Sequence, residues 1–352
     1  MAEELDEQQE LYEHYRITVD RGQEPMRIDR YLQMRLEGVS RNKVQMAAKA
    51  GCVRVNDVAV KSNYCVKPLD LITVLLPEPP NDFELLPEPV EFKVAYEDED
   101  VIVVDKHAGL VVHPGVGNHT GTLLNGLLYY CQNRMRADGT PVTPYLAHRI
   151  DKDTSGLLLV AKGEDVQVNL AKQFFEHTIE RKYTALVWGD MEGDSGTIEG
   201  NLGRSLQDFR MRCVYPHVEG LPAEKQRGKH AVTHWQVLER FGYVTLVECV
   251  LETGRTHQIR AHMQYIGHPL FGDAVYGGNV IVKGTTFTKY RQFVENCFEI
   301  LPRQALHARV LGFEHPATGE RMHFETPIPE DMSRCLERWR KYASNRSIEY
   351  YV

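Results

Sequence analysis

The stretch Ala147–Lys162, AHRIDKDTSGLLLVAK, joins a run of polar residues to a wholly apolar segment, Gly156–Ala161. The apolar segment predicts a buried strand, and the Thr-Ser-Gly turn before it predicts a loop anchored against the core. Loops mounted in this way commonly present catalytic groups. Read in isolation, the segment could also be a plain surface loop in which Arg149 and Asp151, two residues apart, form an ion pair. The candidate functional side chains of the loop are His148, Arg149, Asp151 and Thr154.

A second polar cluster, Leu251–His262 with the sequence LETGRTHQIRAH, also follows an apolar strand. Thr256 can cap the helix that follows, so Arg255 lies at a strand-to-helix junction. A guanidinium there can pair with a carboxylate from another loop or with phosphate. His257 and His262 have the wrong interval for two ligands on one helical face, so we expect no metal site.

The segment Arg181–Val187, RKYTALV, predicts a strand that opens with two basic residues. Tyr183 shares one face of this strand with Ala185 and Val187. A tyrosine in that position is either a core or edge residue or an aromatic platform for a nucleobase. The segment alone leaves both interpretations open.

Beyond residue 90, strands outnumber helices and do not alternate with them regularly. The predicted strands are Val101–Val104, Gly156–Ala161, Lys182–Val187, Ala231–Leu238, Val244–Leu251 and Ala305–Leu311. The predicted helices are Leu123–Cys131, Asp165–His177, Thr256–Ile266 and Pro329–Tyr342. This order favours an α+β fold with a mixed, mostly antiparallel sheet over a doubly wound parallel sheet.

Charge and proline content divide the 352 residues into four parts. The net charge of −8 hides a basic island, because residues 21–73 hold ten bases and five acids between two acidic segments. Five prolines within residues 76–89 predict a linker. We therefore expect an acidic, disordered tail at residues 1–25, a small domain at 26–75, the linker at 76–89 and a larger domain at 90–345.

The small domain predicts two short amphipathic helices, a hairpin that turns at Asn56-Asp57 and a third strand. Ser40-Arg41, Gly51, the sequence VRVN and the sequence VKPxDxITV together resemble the S4 RNA-binding domain. The resemblance implies a small α+β domain whose second helix and hairpin contact RNA, although a solvated helix face explains the charge alone. The candidate RNA contacts are Arg41, Lys43, Lys49, Arg54 and Lys61.

Three segments taken together resemble the RluA/RluD-type pseudouridine synthases. They are HRIDKDTSGL from His148, RKYTALV from Arg181 and ETGRTHQIRxH from Glu252, in that order. Further matches are DKHAGLVVHPG from Asp105, HPLxGDxxYG from His268 and QALHA from Gln304. The resemblance extends over about residues 94–329. Ile150 replaces the leucine that is usual in the family, which is a conservative departure.

The resemblance implies that Asp151 is the catalytic aspartate. It further implies that Tyr183 packs on the flipped base, that Arg149 fills the space left in the base stack, and that Arg255 pairs with the Asp151 carboxylate. Other contacts with uridine or RNA are expected from His113, His148, Thr154 and Arg260.

The implied reaction isomerises uridine to pseudouridine in RNA, breaking the N1–C1′ bond and joining C5 to C1′. It needs no redox change and no group donor, and the sequence lacks dinucleotide-binding and P-loop motifs, so we expect no cofactor. The order of steps at Asp151 stays open. The S4-like domain and the run from Gly109 most resemble those of family members that act on large-subunit ribosomal RNA, which the resemblance therefore implies as the partner. Members that act on transfer RNA share the same catalytic residues.

Two hypotheses from other functional classes remain. The first is a non-catalytic RNA-binding or ribosome-assembly factor, which would have no need of Asp151, Tyr183 and Arg255 together. The second is a glycoside hydrolase, which ordinarily needs two cooperating carboxylates. Asp153 is near Asp151, but alternate residues of an extended segment point to opposite sides.

The cellular setting follows from cysteine use and hydropathy. The seven cysteines are odd in number, scattered and never spaced CxxC, so neither a disulfide framework nor a zinc cluster is indicated. No apolar run approaches the roughly 20 residues of a membrane-spanning helix. We expect a cytoplasmic protein that acts as a monomer.

Overall fold

The computed structural model describes residues 12–36, 39, 41–49, 51–76, 85–115, 118–208, 210–216, 219–220 and 226–349. The chain divides into two compact units, residues 1–84 and 85–352, and the division falls inside the predicted linker. Residues 86 and 88 already belong to the second unit, because the Asn125 side chain donates to the Leu86 carbonyl and the Glu88 N–H donates to the Asn125 carbonyl. The larger domain therefore begins before residue 90.

The described part of the first unit contains six short strands and two helices. They are β1 Tyr12–Thr18, β2 Met26–Arg27, α1 Ile28–Arg35, α2 Arg41–Lys49, β3 Val53–Val55, β4 Val58–Ala59, β5 Cys65–Val66 and β6 Leu71–Leu76. Four strands form a sheet in the order β1-β6-β3-β4, and β2 pairs with β5. Apolar residues of both helices and of this sheet share one core, including Ile28, Leu32, Val44 and Ile72.

The hairpin of this unit turns where the sequence predicts it. Asn56 and Asp57 both have positive φ angles, 50° and 66°, as a two-residue hairpin turn requires. The Asn56 side chain ties the turn to the third strand, because its Nδ2 donates to Asp70 and its Oδ1 accepts from the Leu71 N–H. The predicted order of two helices, hairpin and strand is what the chain adopts.

The prediction of a disordered tail is wrong for residues 12–18. These residues form β1, which pairs antiparallel with β6, with Tyr12 opposite Leu76 and Thr18 opposite Leu71. Acidic composition favoured disorder, but an edge strand is held by backbone hydrogen bonds to its neighbour, which composition does not report. Residues 1–11 lie outside the described part of the chain.

The second unit is built on one large sheet with helices on both faces. Its elements begin with β7 Lys93–Glu97, β8 Val101–Lys106, α3 Leu123–Cys131, β9 Tyr145–Leu146, β10 Ser155–Ala161, α4 Glu164–Phe175, β11 Glu180–Trp188 and β12 Ser195–Arg204. They continue with β13 Arg212–Tyr215, β14 Lys229–Arg240, β15 Val244–Leu251, α5 Gln258–Tyr265, α6 Thr288–Ile300, β16 Leu306–Glu314, β17 Arg321–Glu325 and α7 Glu330–Glu349.

Strand order in this sheet is β13-β12-β14-β15-β11-β16-β10-β8-β7, with β9 on β10 and β17 on β16. Among the strands described, the β10–β16 pair is parallel and the others are antiparallel. The prediction of an α+β fold with a mostly antiparallel sheet is confirmed.

Alternate residues of the central strands enter different cores, as a period of two requires. Leu158 and Tyr183 share a core with Ile259 of α5, whereas Leu157 packs with Leu170 of α4. The helices α6 and α7 cover a third cluster built around Trp188 and Trp339. None of the helices in the described ranges is long and apolar enough to cross a membrane.

Candidate active site

Two buried basic side chains hold the loop that precedes β10. Lys106, only 1% exposed, donates from Nζ to the carbonyl oxygens of Lys152 at 2.8 Å, Leu110 at 2.9 Å and His107 at 3.0 Å. Arg303 donates from Nη1 to the Asp153 carbonyl at 3.0 Å. Burial lowers the pKa of Lys106 to about 7. Because both side chains donate to backbone oxygens, they fix the path of the loop.

A glycine sets the point where this loop meets the sheet. Gly156 has a φ angle of +112° and pairs with Ala308 across the parallel contact of β10 and β16. A Cβ atom at residue 156 would lie 2.2 Å from the Ala308 carbonyl oxygen. Only glycine allows this approach of the two strands.

Asp151 lies in this loop and is paired with a buried arginine. Nη1 of Arg260 donates to Oδ2 of Asp151 at 2.9 Å. The Asp151 side chain is 22% exposed and that of Arg260 is 6% exposed, so the carboxylate alone is open to a ligand. The other edge of the guanidinium binds Asp273, with Nε donating at 2.7 Å and Nη2 at 2.9 Å.

The three residues form a chain of charges, Asp151–Arg260–Asp273. Asp273 is fully buried and also accepts from the N–H groups of Val275 and Tyr276. Burial alone would lower the pKa of Arg260, but the two carboxylates outweigh it and raise that pKa. A guanidinium held at both edges has one orientation, so Arg260 fixes the position of the Asp151 carboxylate.

The expectation that Arg255 pairs with Asp151 is wrong. The Arg255 side chain is exposed, and its Nε donates to the His230 carbonyl at 3.2 Å. The physical reason is the start of α5, which begins at Gln258 after His257 adopts a left-handed φ of 57°. This turn directs residue 255 towards β14 and residue 260 towards Asp151. Arg260, expected as an RNA contact, takes the pairing role instead.

Asp151 and Tyr183 line one cavity of about 1050 Å³. Its walls come from the loop before β10, the start of β11 and the turn into α5. Tyr183 is 7% exposed, and burial raises the pKa of its hydroxyl, so the ring is neutral. The cavity therefore combines an oriented carboxylate with an aromatic wall.

The structure gives His148 and Thr154 supporting positions in the cavity wall. Nε2 of His148 accepts the Leu159 N–H at 3.0 Å, and its ring packs on Phe174. Burial and the nearby charge of Arg181 lower the pKa of His148 to about 3, so it is neutral. Thr154 is 1% exposed and its hydroxyl accepts from the Gln304 side chain. Both residues shape the loop, and neither offers a charge to RNA.

Arg149 and His113 lie at the cavity with exposed side chains. Nδ1 of His113 is 2.8 Å from the Pro114 carbonyl oxygen. Arg149 forms no ion pair with another described residue, so the Arg149–Asp151 pair considered from sequence is absent there. Its guanidinium is free to contact a ligand.

Sequence reasoning gave no role to three residues around Asp151. Asp273 holds the far edge of Arg260, and Nε2 of His257 lies 3.9 Å from Oδ2 of Asp151. The Tyr276 hydroxyl is 3.1 Å from Nδ1 of His257, and its ring lies under the Arg260 guanidinium, 5.0 Å from its carbon to the ring centroid. Burial lowers the pKa of His257 and raises that of Tyr276 to about 12. The HPLxGDxxYG motif was the available signal, since it contains both Asp273 and Tyr276.

The basic side chains of the first unit that are predicted to contact RNA differ in whether they already form an ion pair within the domain. Nε of Arg41 donates to the fully buried Asp29 at 3.1 Å, so part of its charge is already used within the domain. Lys49 and Lys61 are exposed and Arg54 is half-buried. None of these three forms an ion pair with another described residue. The side chain of Lys43 lies outside the described part of the structure.

One group of side chains in the described ranges has donor atoms close enough for a metal ion, namely Asp98, Asp100 and His315. Internal hydrogen bonds account for it. Nδ1 of His315 accepts from the N–H groups of Ala317 and Thr318, and Nε2 lies 3.0 Å from Asp98. The group does not line the cavity that contains Asp151.

Comparison with known proteins shows which proteins the chain is similar to. The profile of the RNA pseudouridylate synthase family matches residues 100–265, and that of the S4 domain matches residues 26–72. An RNA pseudouridine synthase of Chlorobaculum parvum is 45% identical over 325 residues, covering 92% of this chain and 97% of the relative. The RNA pseudouridine synthase YlyB of Bacillus subtilis is 46% identical over 92% of this chain and 98% of its own.

Relatives with a more specific name match at lower identity. Ribosomal large subunit pseudouridine synthase D of Zymomonas mobilis is 38% identical and covers 87% of this chain and 91% of its own. A solved human structure, RNA Pseudouridylate Synthase Domain Containing 4, covers 70% of this chain and 93% of its own with a TM-score of 0.54 and 22% identity. At that identity the structural match supports the fold alone.

Proposed function

The chain belongs to the RNA pseudouridine synthases, and on that premise we propose that it isomerises uridines of large-subunit ribosomal RNA with Asp151 as the catalytic residue. The observation that carries the proposal is the pairing of Asp151 with Arg260 at the wall of a cavity that also contains Tyr183. An oriented carboxylate and an aromatic wall are what a base taken out of its stack requires.

The chemistry follows from the positions of these residues. A uridine whose ring packs on Tyr183 would have its ribose near Asp151, which can attack C1′, attack the base or take a proton at C2′. In each case the N1–C1′ bond breaks, the uracil turns, C5 bonds to C1′, the C5 proton leaves and N1 gains a proton. The atoms balance without a redox partner or a group donor.

The choice of ribosomal RNA rests on the names of relatives and on the S4 domain. Several relatives at 38–42% identity are named ribosomal large subunit pseudouridine synthase D. The S4 domain has basic side chains without an ion pair to another described residue, of the kind that contact phosphates, at Lys49, Arg54 and Lys61. We propose that the protein acts as a monomer in the cytoplasm, and its seven free cysteines are consistent with a reducing compartment.

Pseudouridine mapping tests the proposal. Large-subunit ribosomal RNA transcript is incubated with the protein, treated with carbodiimide and read by primer extension. Wild type is expected to produce stops at defined uridines, and Asp151→Asn, which keeps the side-chain shape, is expected to produce none. Asp153→Asn is the matched control, since it removes a carboxylate from the same loop and should keep the stops.

Each other outcome selects a different function. Stops on transfer RNA but not on ribosomal RNA would assign the transfer RNA substrate. Equal dependence on Asp151 and Asp153, with release of free uracil, would indicate a hydrolase. RNA binding without modification of either RNA would indicate a binding or assembly factor.

A further inference from the structure

One buried cation at the cavity lacks a partner. Arg181, near the start of β11, lines the cavity and is only 7% exposed. It forms no ion pair with any residue in the described ranges, and its Nε has no hydrogen-bond partner there. A buried charge without a partner costs free energy, so its presence calls for a reason.

The surroundings of Arg181 are neutral. Its guanidinium carbon lies 5.2 Å from the ring centroid of Phe174, and the neutral His148 packs on the same ring. A Cβ atom at Gly254 would lie 2.6 Å from Nη1 of Arg181, so the glycine makes room for the guanidinium. Burial lowers the pKa of Arg181, with no carboxylate to counter it. The guanidinium group is therefore kept in place by packing and not by an ion pair with a carboxylate.

The other buried arginines of the described chain show what a structural arginine looks like here. Arg260 binds two carboxylates, and Arg303 binds Asp331 through two nitrogens as well as backbone carbonyls. Both are satisfied by the protein alone. Arg181 has the same burial without any of these contacts, which indicates that its partner is a ligand.

We propose that Arg181 receives a backbone phosphate of the RNA next to the uridine that enters the cavity. The inference rests on the proposed function only in taking RNA as the ligand. Besides the effect of burial, the charge of Arg181 lowers the pKa of Tyr183 and the charge of Asp151 raises it. Asp151, Tyr183 and Arg181 line the same cavity, so a nucleotide packed on Tyr183 with its ribose at Asp151 would share that cavity with the Arg181 guanidinium.

The chemistry of the nucleotide favours phosphate over uracil as the partner. Phosphate carries its negative charge before the reaction starts, whereas uracil is neutral until the N1–C1′ bond breaks. A guanidinium also matches phosphate with two parallel hydrogen bonds. A permanent buried cation is best offset by a permanent anion. The alternative, stabilisation of departing uracil, predicts a different kinetic result.

The test compares Arg181→Met with Lys182→Met. The control removes the same charge from the next residue of β11, whose Nζ lies 3.4 Å from Glu180 and does not line the cavity. RNA affinity is measured over a range of salt concentrations, with a labelled stem-loop that carries the mapped uridine. If mapping finds no such uridine, labelled oligouridylate is the probe. Release of tritium from 5-³H-uridine gives KM and kcat, and thermal unfolding gives the melting temperature.

Arg181→Met is expected to weaken RNA binding about 10- to 100-fold, the effect of losing a charge-assisted hydrogen bond. The slope of log affinity against log salt should fall by about 0.7 to 0.9, one phosphate contact. The larger part of the loss should appear in KM. The melting temperature should stay equal or rise, because an unpaired buried charge is removed, whereas a structural arginine would give a decrease. Gly254→Ala, which displaces the guanidinium without removing its charge, should weaken binding in the same direction.

Three results would overturn the proposal. Unchanged affinity and salt slope would show that Arg181 meets no phosphate. A loss confined to kcat would assign Arg181 to the departing uracil. A marked drop in the melting temperature of Arg181→Met, together with intact RNA affinity in Gly254→Ala, would make Arg181 a structural residue. Failure of the proposed function is separate, because it appears as an inactive wild type while the binding measurements still report on Arg181.

Discussion

Replacing Arg260 tests the reasoning about the Asp151 site most directly. In Arg260→Met the side chain keeps its approximate length and loses both carboxylate contacts. Asp273, fully buried, then retains only the N–H groups of Val275 and Tyr276. Truncating one partner of a buried pair costs about 3–5 kcal/mol, and the two remaining N–H bonds favour the lower end, about 3 kcal/mol.

The effect on activity follows from the bond at 2.9 Å between Arg260 and Asp151. A hydrogen bond to a charged group contributes about 1.5–3 kcal/mol, and about 1.4 kcal/mol is a factor of ten. The single-turnover rate at saturating RNA should therefore fall about 10- to 100-fold or more, since the carboxylate also loses its fixed position. Arg255→Met removes the same residue type from an exposed site and should lower this rate less than tenfold.

The assay is tritium release under single-turnover conditions, with urea unfolding to measure stability. Arg260→Met combined with Asp273→Asn serves as a second check. The double variant should be less destabilised than the sum of the single changes, because the uncompensated buried carboxylate is gone. The reasoning is refuted if Arg255→Met is as inactive as Asp151→Asn while Arg260→Met keeps more than a tenth of the wild-type rate. That result would mean that Asp151 changes its partner when RNA binds.

Three further changes probe the stability of the two units, two of them beside the Asp151 site and one in the first unit. The pKa of His148 is lowered to about 3 in the folded protein, so below pH 6.5 the unfolded chain binds a proton that the folded protein does not. The free energy of unfolding of the wild type should therefore drop by about 2 kcal/mol between pH 6.5 and 5. His148→Gln keeps an acceptor for Leu159 and should flatten that dependence in urea titrations at several pH values. Gly156→Ala should destabilise the second unit by more than about 3 kcal/mol in urea unfolding, because its Cβ meets the Ala308 carbonyl at 2.2 Å. Burial would raise the pKa of Asp29, but hydrogen bonds from Arg27, Gln45 and Arg41 outweigh it and hold that pKa well below its usual range. Asp29→Asn should therefore destabilise the first unit by about 1–2 kcal/mol at pH 7. Calorimetry should show this difference vanish at low pH, where the carboxyl group is protonated.

Elements with a strong apolar period were predictable from the sequence. Val244–Leu251 and Leu123–Cys131 have the predicted bounds, and the segment Gly156–Ala161 lies within β10. Strands that form because neighbouring strands pair with them were not predictable from the sequence. Ser195–Arg204 has three glycines and an acid, yet it forms β12 because β13 and β14 pair with its two edges.

The helix α6, Thr288–Ile300, was missed although its signal is in the sequence. Tyr290, Val294 and Cys297 recur at helical spacing and are buried against α7 and the sheet. The exposed Phe287 directly precedes the helix, so an apolar residue also lies outside the buried face. Sequence periodicity identifies such a helix only when the buried face is separated from flanking apolar residues.

The loop that carries Asp151 was predictable because a polar run meets a buried strand, but the partner of Asp151 was not. The choice between Arg255 and Arg260 depends on where α5 begins, and that depends on the left-handed turn at His257. A shift of two residues at a helix start rotates a side chain by about half a turn. Helix ends are the least determined part of a sequence-based prediction, so a role assigned across such an end requires the structure.

The charge of residues 111–352 is close to neutral, with 28 bases and 27 acids, so bulk charge gave no hint of an anion site in this unit. Under our proposal, the placement of one buried arginine supplies this anion site. Lys106 and Arg260 are buried with their bonds satisfied by the protein, so removing either should loosen the loop and lower stability together with activity. Arg181 is buried with no such partner, so its removal should lower RNA affinity without lowering stability. A buried cation that the protein does not need for its own stability is best explained by a ligand, and the sign of the stability change separates the two kinds of residue.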